Sequence, residues 1–512
     1  MNYKLLLNTV VHLRPTQVYH QIKYRLKKPA YVAMAASLTA NRSTLTALKT
    51  EPIPRYKSLE GDVFTFLNLS HEFAGWDFNE YGNLWTYNQN YFDWLNQEGA
   101  STSSVTEGCK WIDRFIKEHE SHGSHELKNK AIGLDPYPIA LRCINWIKFF
   151  CRYPECATKE RLDSLYSQVR LLEKKLEYHL LGNHLLEDAY ALYTAAVYFE
   201  DERLLKKASK LLIGQLKEQI LPDGAHYEQS PMYHCILLDR LLDAINISKN
   251  DVRCKKENVR CLSEYAERML GHLESIIWSD GSIPLLNDAA YGIAPTPAQL
   301  FDYARRLGIE WKAIPMKECG YRKMKNERME AIVDVGNVTA TYQPGHTHAD
   351  SLNYELRVDG KPFVVDTGIS TYNKNERRQL ERSTVAHNCV VVDGKDSSEV
   401  WGGFRVGRRC DVRCKKEEGR CVEASHDGFG KPCKRRFEMT EEGFTVEDWY
   451  EGEAVSYVHL AEGADANRLV VSGEGLENIQ TQPWKYSTEY NRFHDGKVVE
   501  IQIKKHLKYT IL

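Results

Sequence analysis

No stretch of the 512-residue chain approaches the roughly 18 consecutive apolar residues that a membrane-spanning helix needs, so the sequence predicts no transmembrane segment. Net charge is nearly absent: 68 Lys and Arg face 70 Asp and Glu, a balance of −2. There is no long basic run either, so nothing recruits nucleic acid by bulk electrostatics, and no nucleic-acid partner is expected. Low-complexity linkers are missing. With 42% hydrophobic and 27% charged residues, the chain reads as globular rather than disordered or fibrous. The 13 Cys contain no CxxC pair, and a chain long enough to bury a large core needs no disulfide framework. Cys410, Cys414, Cys421 and Cys433 are irregularly spaced on expected strands and read as free thiols rather than a metal site. A signal peptide is not evident: the apolar start from Leu5 to Val11 is broken by Asn8 and Thr9 and followed by Arg14 and Pro15. The expectation is a cytoplasmic chain, with periplasmic or secreted placement as the alternative.

The surplus lies in 29 Tyr, 10 Trp and 18 His. Aromatic side chains in that number stack on sugars or fill a core. The length asks for several domains. From about residue 100 to 315 the apolar residues recur at helical spacing, as at Leu162, Leu165, Val169, Leu172, Leu176 and Leu180 within 161–181. The stretch 184–199 is apolar on nearly all sides and predicts a buried helix. Beyond 325 the period becomes two, and Asp359-Gly360 and Asp393-Gly394 sit between apolar runs as hairpin turns. The predicted organisation is a helical domain over 1–325, then an antiparallel β domain over 326–512.

Four clusters carry possible chemistry. In QPGHTHADSLNYEL (343–356), His346, His348 and Asp350 alternate and would share one face of a strand, suiting metal binding or acid–base work. A solvated polar edge is the alternative. His348 with Asp366 and His387 would give two imidazoles and a carboxylate, a set zinc accepts with a water. In LGNHLLEDA (181–189), Asn183, His184 and Glu187 share a helix start, or Asn183 and Glu187 simply cap it. In LPDGAHYEQSPMYHCILLDRLLDA (221–244), Tyr227, Glu228, Ser230, Tyr233 and His234 crowd a loop-to-helix junction, where Ser230 and Pro231 also make an ordinary helix start. Trp85, Tyr87, Tyr91, Trp94 and Trp146 form a sugar-stacking wall or part of the core.

Taken in order over residues 60–410, NLWTYNQNYFDWL, DPYPIALRCINWIKFF, GNHLLEDAYAL, LPDGAHYEQSPMYH, SDGSIPLLNDAAYG, GHTHADSLNYELRVDGKPFVVDTG and ERSTVAHNCVVVDGKDSSEVW resemble the heparinase II/III-like polysaccharide lyases, a group that includes alginate and oligo-alginate lyases. The resemblance implies an incomplete (α/α) toroid followed by an antiparallel β-sandwich, and β-elimination at a uronic acid in an acidic polysaccharide. Such chemistry needs donors that stabilise charge on the C5 carboxylate, a base for the C5 proton and an acid for the leaving oxygen. A Tyr serves both last roles if cationic neighbours lower its pKa. Carried over by resemblance, Asn183 neutralises the carboxylate beside His184, Tyr233 is the catalytic Tyr, and His346 is its partner. Tyr87, Asn88, Glu187, Tyr227 and Arg382 contact substrate. His348, Asp366 and His387 hold a structural divalent ion, zinc by preference, and no organic cofactor is expected. Asp188 and Ser398 depart from the Asn and Gln expected of relatives, which bears on substrate choice. Two rivals remain: a glycoside hydrolase using Asp223, Glu228 or Asp280, and a non-catalytic glycan-binding or polysaccharide-assembly protein.

Overall fold

The structure is a computed structural model that describes residues 3–26, 48–99, 102–120 and 131–512. Two helices open the chain, α1 (Tyr3–Val10) and α2 (Pro15–Leu26). A small antiparallel sheet follows, β1 (Leu59–Glu60), β2 (Val63–Phe66) and β3 (Leu69–Glu72). The helical body comprises α3 (Asn83–Tyr91), α4 (Thr102–Glu120), α5 (Pro136–Arg152), α6 (Lys159–Lys175), α7 (Gly182–Tyr198), α8 (Glu202–Gln219), α9 (Pro231–Ser248), α10 (Lys256–Ile276) and α11 (Pro297–Arg306). No helix among the described residues is long and apolar enough to cross a membrane.

Hydrophobic pattern sorts these helices into two layers. In α5 every residue from Pro138 to Phe150 is buried; in α7 all are buried but His184; in α9 all but Tyr233 and Ile236. These three form an inner layer, packed on one another through α7. By contrast α8 buries a single stripe, with Leu204, Ala208, Leu212 and Leu216 four residues apart, and α10 does likewise through Leu262, Ala266, Leu270 and Leu273. Inner and outer helices alternate along the chain, as in an (α/α) toroid. The predicted helix 161–181 stops early, at Lys175. The Glu177 amide leaves the helix to donate to Asp188 Oδ2 (2.7 Å), and this turns the chain toward the start of α7.

The sheet domain starts at β4 (Tyr321–Lys325), ahead of the boundary expected at 325. That strand is a lysine- and arginine-bearing edge of the sheet, which hides its period-two signal. It continues through β5 (Met329–Asp334), β6 (Tyr354–Val358), β7 (Lys361–Val364), helix α12 (Glu376–Glu381), β8 (Val390–Val392), β9 (Val400–Trp401), β10 (Arg405–Val406), β11 (Val412–Glu418), β12 (Cys421–His426), β13 (Cys433–Met439), β14 (Phe444–Trp449), β15 (Ala454–Leu460), β16 (Leu469–Glu489) and β17 (Arg492–Ile511). One antiparallel sheet carries twelve of these strands. It curls because β17 pairs along one edge with β14 near its end (Phe444↔Ile511) and with β15 further back (Ala454↔Ile503). The branch β4–β7 with β15 and the branch β11–β14 then face each other. Tyr354 of β6 packs on Phe437 and Phe444 from the opposite branch, at ring centroid distances of 5.8 and 5.4 Å. That is the sandwich core.

Asp359 (φ 52°) and Gly360 (φ 75°) make the expected two-residue hairpin turn between β6 and β7. Asp393-Gly394 turns with the same signs and is closed by a single antiparallel bridge, Val392↔Lys395, while β8 takes its longer ladder from β15. The strand expected through His346, His348 and Asp350 is absent: residues 343–351 form a loop. Scattered main-chain bonds, such as Ala349 N–H to the Arg382 carbonyl (2.9 Å), and side chains satisfy its backbone in place of a neighbouring strand. Asn287 Oδ1 accepts from the His348 amide (3.0 Å), and the Arg382 guanidinium donates to the Thr347 carbonyl (2.7 Å).

Candidate active site

The few inner-helix residues left unburied mark the site. Tyr233 and Ile236 of α9 line a cavity of about 100 Å³, together with Asn88 and Tyr91 of α3, Tyr137 of α5 and Tyr372 from the sheet domain. The cavity therefore opens at the seam between the helical body and the sheet.

Asn183 reaches this seam through a strained helix start. Leu181 precedes α7 at φ 63°, ψ −151°, a conformation costing about 1–3 kcal/mol in a non-glycine residue. Gly182 follows at φ 61°, and a Cβ there would lie 2.6 Å from Glu228 Oε1. Glycine thus admits the carboxylate. Glu228 accepts from the Asn183 backbone N–H (2.7 Å) and lies 3.1 and 3.0 Å from Asn183 Nδ2 through its two oxygens. Asn183 therefore does not cap its own helix, and the capping-box reading fails. Across the seam, His346 Nδ1 lies 2.6 Å from Glu228 Oε2. Burial works against the Glu228 carboxylate, but His346 and the Asn183 N–H overcome it and hold its pKa at about 2. Glu228 is an anion at working pH, joining an amide on the helical side to an imidazole on the sheet side.

Tyr233 stands at the first turn of α9, where Ser230 caps the helix by accepting from the Tyr233 amide and Pro231 occupies the first position. Here the ordinary reading and the functional one both hold. The Tyr233 ring stacks on the His346 ring, with centroids 3.7 Å apart and planes at 22°. Its hydroxyl lies 3.4 Å from the Tyr372 hydroxyl, which donates to it. Burial raises the Tyr233 pKa above its ordinary value, the Tyr372 hydrogen bond opposes this, and Asp288 and Glu228 push it further up. The expectation that cations would lower it is overturned: Arg378 acts that way but is outweighed. His184 pairs through Nδ1 with Glu177 Oε2 (3.0 Å) and packs on Tyr137. Burial alone would lower its pKa, but Glu177, helped by Glu228 and Glu187, raises it.

Several expected substrate contacts lie elsewhere. Arg382 is fully buried, its guanidinium spent on the carbonyls of Thr347 and Arg405, and burial together with Arg378 lowers its pKa to about 9. It shapes the His346 loop rather than meeting a ligand. Tyr227 is 3% exposed and bonded to the Tyr342 hydroxyl (2.9 Å). Glu187 lies wholly inside the helical layer, 3.5 Å from Arg240. Tyr87 donates to Asp135 (2.8 Å) and does not line the cavity, whereas Asn88 does. Trp85, Trp94 and Trp146 are core; of the aromatic wall only Tyr91 reaches the cavity. The hydrolase candidates Asp223, Glu228 and Asp280 do not line the cavity, and neither do Asn183, His184 and His346; the carboxylates in its lining are Asp93 and Asp239. Sequence reasoning assigned no role to Tyr137 or Tyr372, and none to Asp288, which holds Arg378 by two bonds (2.5 and 2.7 Å) and His348 Nε2 (2.8 Å).

The expected metal set is only partly assembled. His348 Nδ1 and His387 Nε2 are buried without hydrogen-bond partners, the rings 5.2 Å apart, which suits a divalent ion. Asp366, however, accepts from Asn353 Nδ2 (2.6 Å) through the same oxygen that lies 2.7 Å from His387 Nδ1. It orients His387 rather than completing a three-donor site. Among the described residues, the group of three donors within 4.8 Å of one another is instead Asp223, His272 and Cys319.

Residues 154–306 match the family model described as heparinase II/III N-terminus, and residues 309–499 match heparinase II/III-like, C-terminal. The chain belongs to the heparinase II/III-like family. A heparin-sulfate lyase of Pedobacter heparinus is 26% identical over 266 residues, which is 46% of this chain and 40% of that protein. One from Bacteroides stercoris is 21% identical over 376 residues, covering 65% of this chain and 53% of that protein. The chain thus spans about half the length of these relatives or less. A crystal structure of heparinase III covers 96% of this chain and 89% of its own at TM-score 0.65 and 14% identity. The heparan sulfate lyase structure from Pedobacter heparinus gives 97%, 87%, 0.56 and 16%. These likenesses establish a family fold of helical toroid and curled antiparallel sheet domain. The family's two-part division falls between 306 and 309, close to where α11 ends and ahead of β4.

Proposed function

We propose that this chain is a polysaccharide lyase that cleaves a heparin-sulfate-type glycosaminoglycan at a uronic acid by β-elimination. The observation that carries the reading is the Tyr233–His346–Glu228–Asn183 array at the domain seam. Glu228, facing His346 Nδ1, favours a proton there and leaves Nε2 to take the C5 proton. As the C5–H pair becomes the C4=C5 double bond, the C4–O bond breaks. Tyr233, kept protonated by burial, gives its proton to the departing oxygen. Charge growing on the C5 carboxylate is met by the amide of Asn183 and by His184, whose raised pKa favours the imidazolium. Asn88 and the tyrosine-lined cavity supply the sugar surface. No organic cofactor is needed. A structural divalent ion, zinc by donor type, belongs to the same reading at His348 and His387, where two unpartnered buried ring nitrogens support it; Asp366 would join by releasing His387.

The test is to incubate the protein with a panel of uronate polymers and follow ultraviolet absorbance of the product. Rising absorbance with a heparan-type glycan is expected, because elimination leaves a conjugated unsaturated uronate. New reducing ends without absorbance would make the chain a hydrolase, and binding without turnover would make it a glycan-binding protein.

A further inference from the structure

A second cluster lies outside the cavity lining. Asp223 sits in the loop 222–224 ahead of α9, His272 in α10, and Cys319 in the connector between α11 and β4. The loop reaches α10 because Gly224, at φ 82°, has no Cβ; one there would lie 2.1 Å from the Arg268 carbonyl oxygen. All three residues are buried, at 2%, 3% and 0% exposure. Their donor atoms lie within 4.8 Å of one another. His272 Nδ1 is buried with no hydrogen-bond partner, and Cys319 is in no disulfide, its thiol facing the Asp223 carboxylate. The Asp223 carboxylate is held in place by the backbone N–H groups of Lys317 (3.0 Å) and Cys319 (2.9 Å), as the carboxylates of metal sites commonly are. An open cavity of about 510 Å³, lined by Asp223, Met316 and Lys317 among others, reaches the Asp223 side of the cluster.

We propose that Asp223, His272 and Cys319 form a thiolate-containing site for a divalent transition metal, zinc by its donor set, which clamps the domain connector to the loop that precedes α9. Tetrahedral zinc with sulfur, nitrogen and oxygen donors needs them about 3.3–3.8 Å apart, so donors no more than 4.8 Å apart need contract by at most about 1.5 Å. Binding replaces the thiol proton of Cys319 with the metal and releases that proton to solvent. The inference is independent of the lyase reading, since none of the three residues touches the proposed reacting groups.

The experiment uses the full chain, stripped with a chelator and titrated with cobalt(II). Only a sulfur ligand gives a thiolate-to-cobalt charge-transfer band, so an ion at His348 and His387 cannot imitate it. The expected result is a band that saturates at one ion per chain, survives His348→Ala and disappears in Cys319→Ser. Saturation of the wild-type chain without that band overturns the site, as does a band that persists in Cys319→Ser. If Cys319→Ser does not fold by circular dichroism, His272→Gln keeps the thiol and should weaken cobalt binding at least tenfold; unchanged affinity there also overturns the proposal.

Discussion

The two walls of the cleft are built in different ways. On the helical wall, Asn183 and Tyr233 occupy the first turns of α7 and α9, and local chemistry sets their positions: Gly182 and a strained Leu181 before one, Ser230 and Pro231 before the other. On the sheet wall, His346 lies on a loop with no ladder to hold it. Distant side chains fix that loop, with Arg382 on the Thr347 carbonyl, the neutral Asn287 on the His348 amide, and Asp288 gripping both His348 and Arg378. A helix start can be specified by neighbours in sequence. A loop on a sheet has to be held from far away, and buried ion pairs do this because they lose so much when one partner is removed.

The largest effect expected is on the helical wall. Tyr233→Phe keeps the ring stacked on His346 and removes only the hydroxyl, so turnover should fall by about 10³-fold or more with folding intact. Near-wild-type turnover would remove Tyr233 from the chemistry. On the sheet wall the matching experiment concerns stability. Asp288→Asn leaves Arg378 buried with a neutral partner and should cost about 3–5 kcal/mol, read from urea unfolding. A loss below about 1 kcal/mol would mean that the loop is held by something else.

Asn183→Ala should lower kcat by about 10²-fold, as loss of an oxyanion-type donor does. If only KM changes, Asn183 binds substrate without stabilising the transition state. The smallest effect concerns the layer beneath the helical wall. Burial raises the Glu187 pKa to about 7, with Arg240 opposing and Asp239 assisting. The folded chain therefore holds this proton more tightly than the unfolded chain. The stabilisation is complete below the ordinary carboxyl range and fades as pH rises through 7. Glu187→Gln cannot lose a proton, so the stability difference between pH 5 and pH 8 should shrink by about 1–2 kcal/mol. An unchanged difference in urea midpoints would show that Glu187 does not titrate in this window.

Whatever short-range chemistry decides could be read from the residues alone. Hydrophobic periodicity separated the toroid from the sheet, and the stretch 184–199, apolar on nearly all sides, placed α7 in the inner layer. The Asp359-Gly360 hairpin was legible because a two-residue turn needs positive φ at both positions, which Asp and Gly accept. Ser230-Pro231 announced the helix start that carries Tyr233. Tertiary structure alone decided which side chains meet. Glu228 lies 118 residues from His346 along the chain, and no period or spacing links them. The alternation at His346, His348 and Asp350 imitated a strand because backbone pairing, which settles strand or loop, depends on partners such as Arg382 and Asn287 that arrive only on folding. Arg382 and Tyr227 were misplaced for the same reason. A polar residue in a candidate motif looks the same in sequence whether its hydrogen bonds go to substrate or to a buried carbonyl, and only three-dimensional packing distinguishes the two.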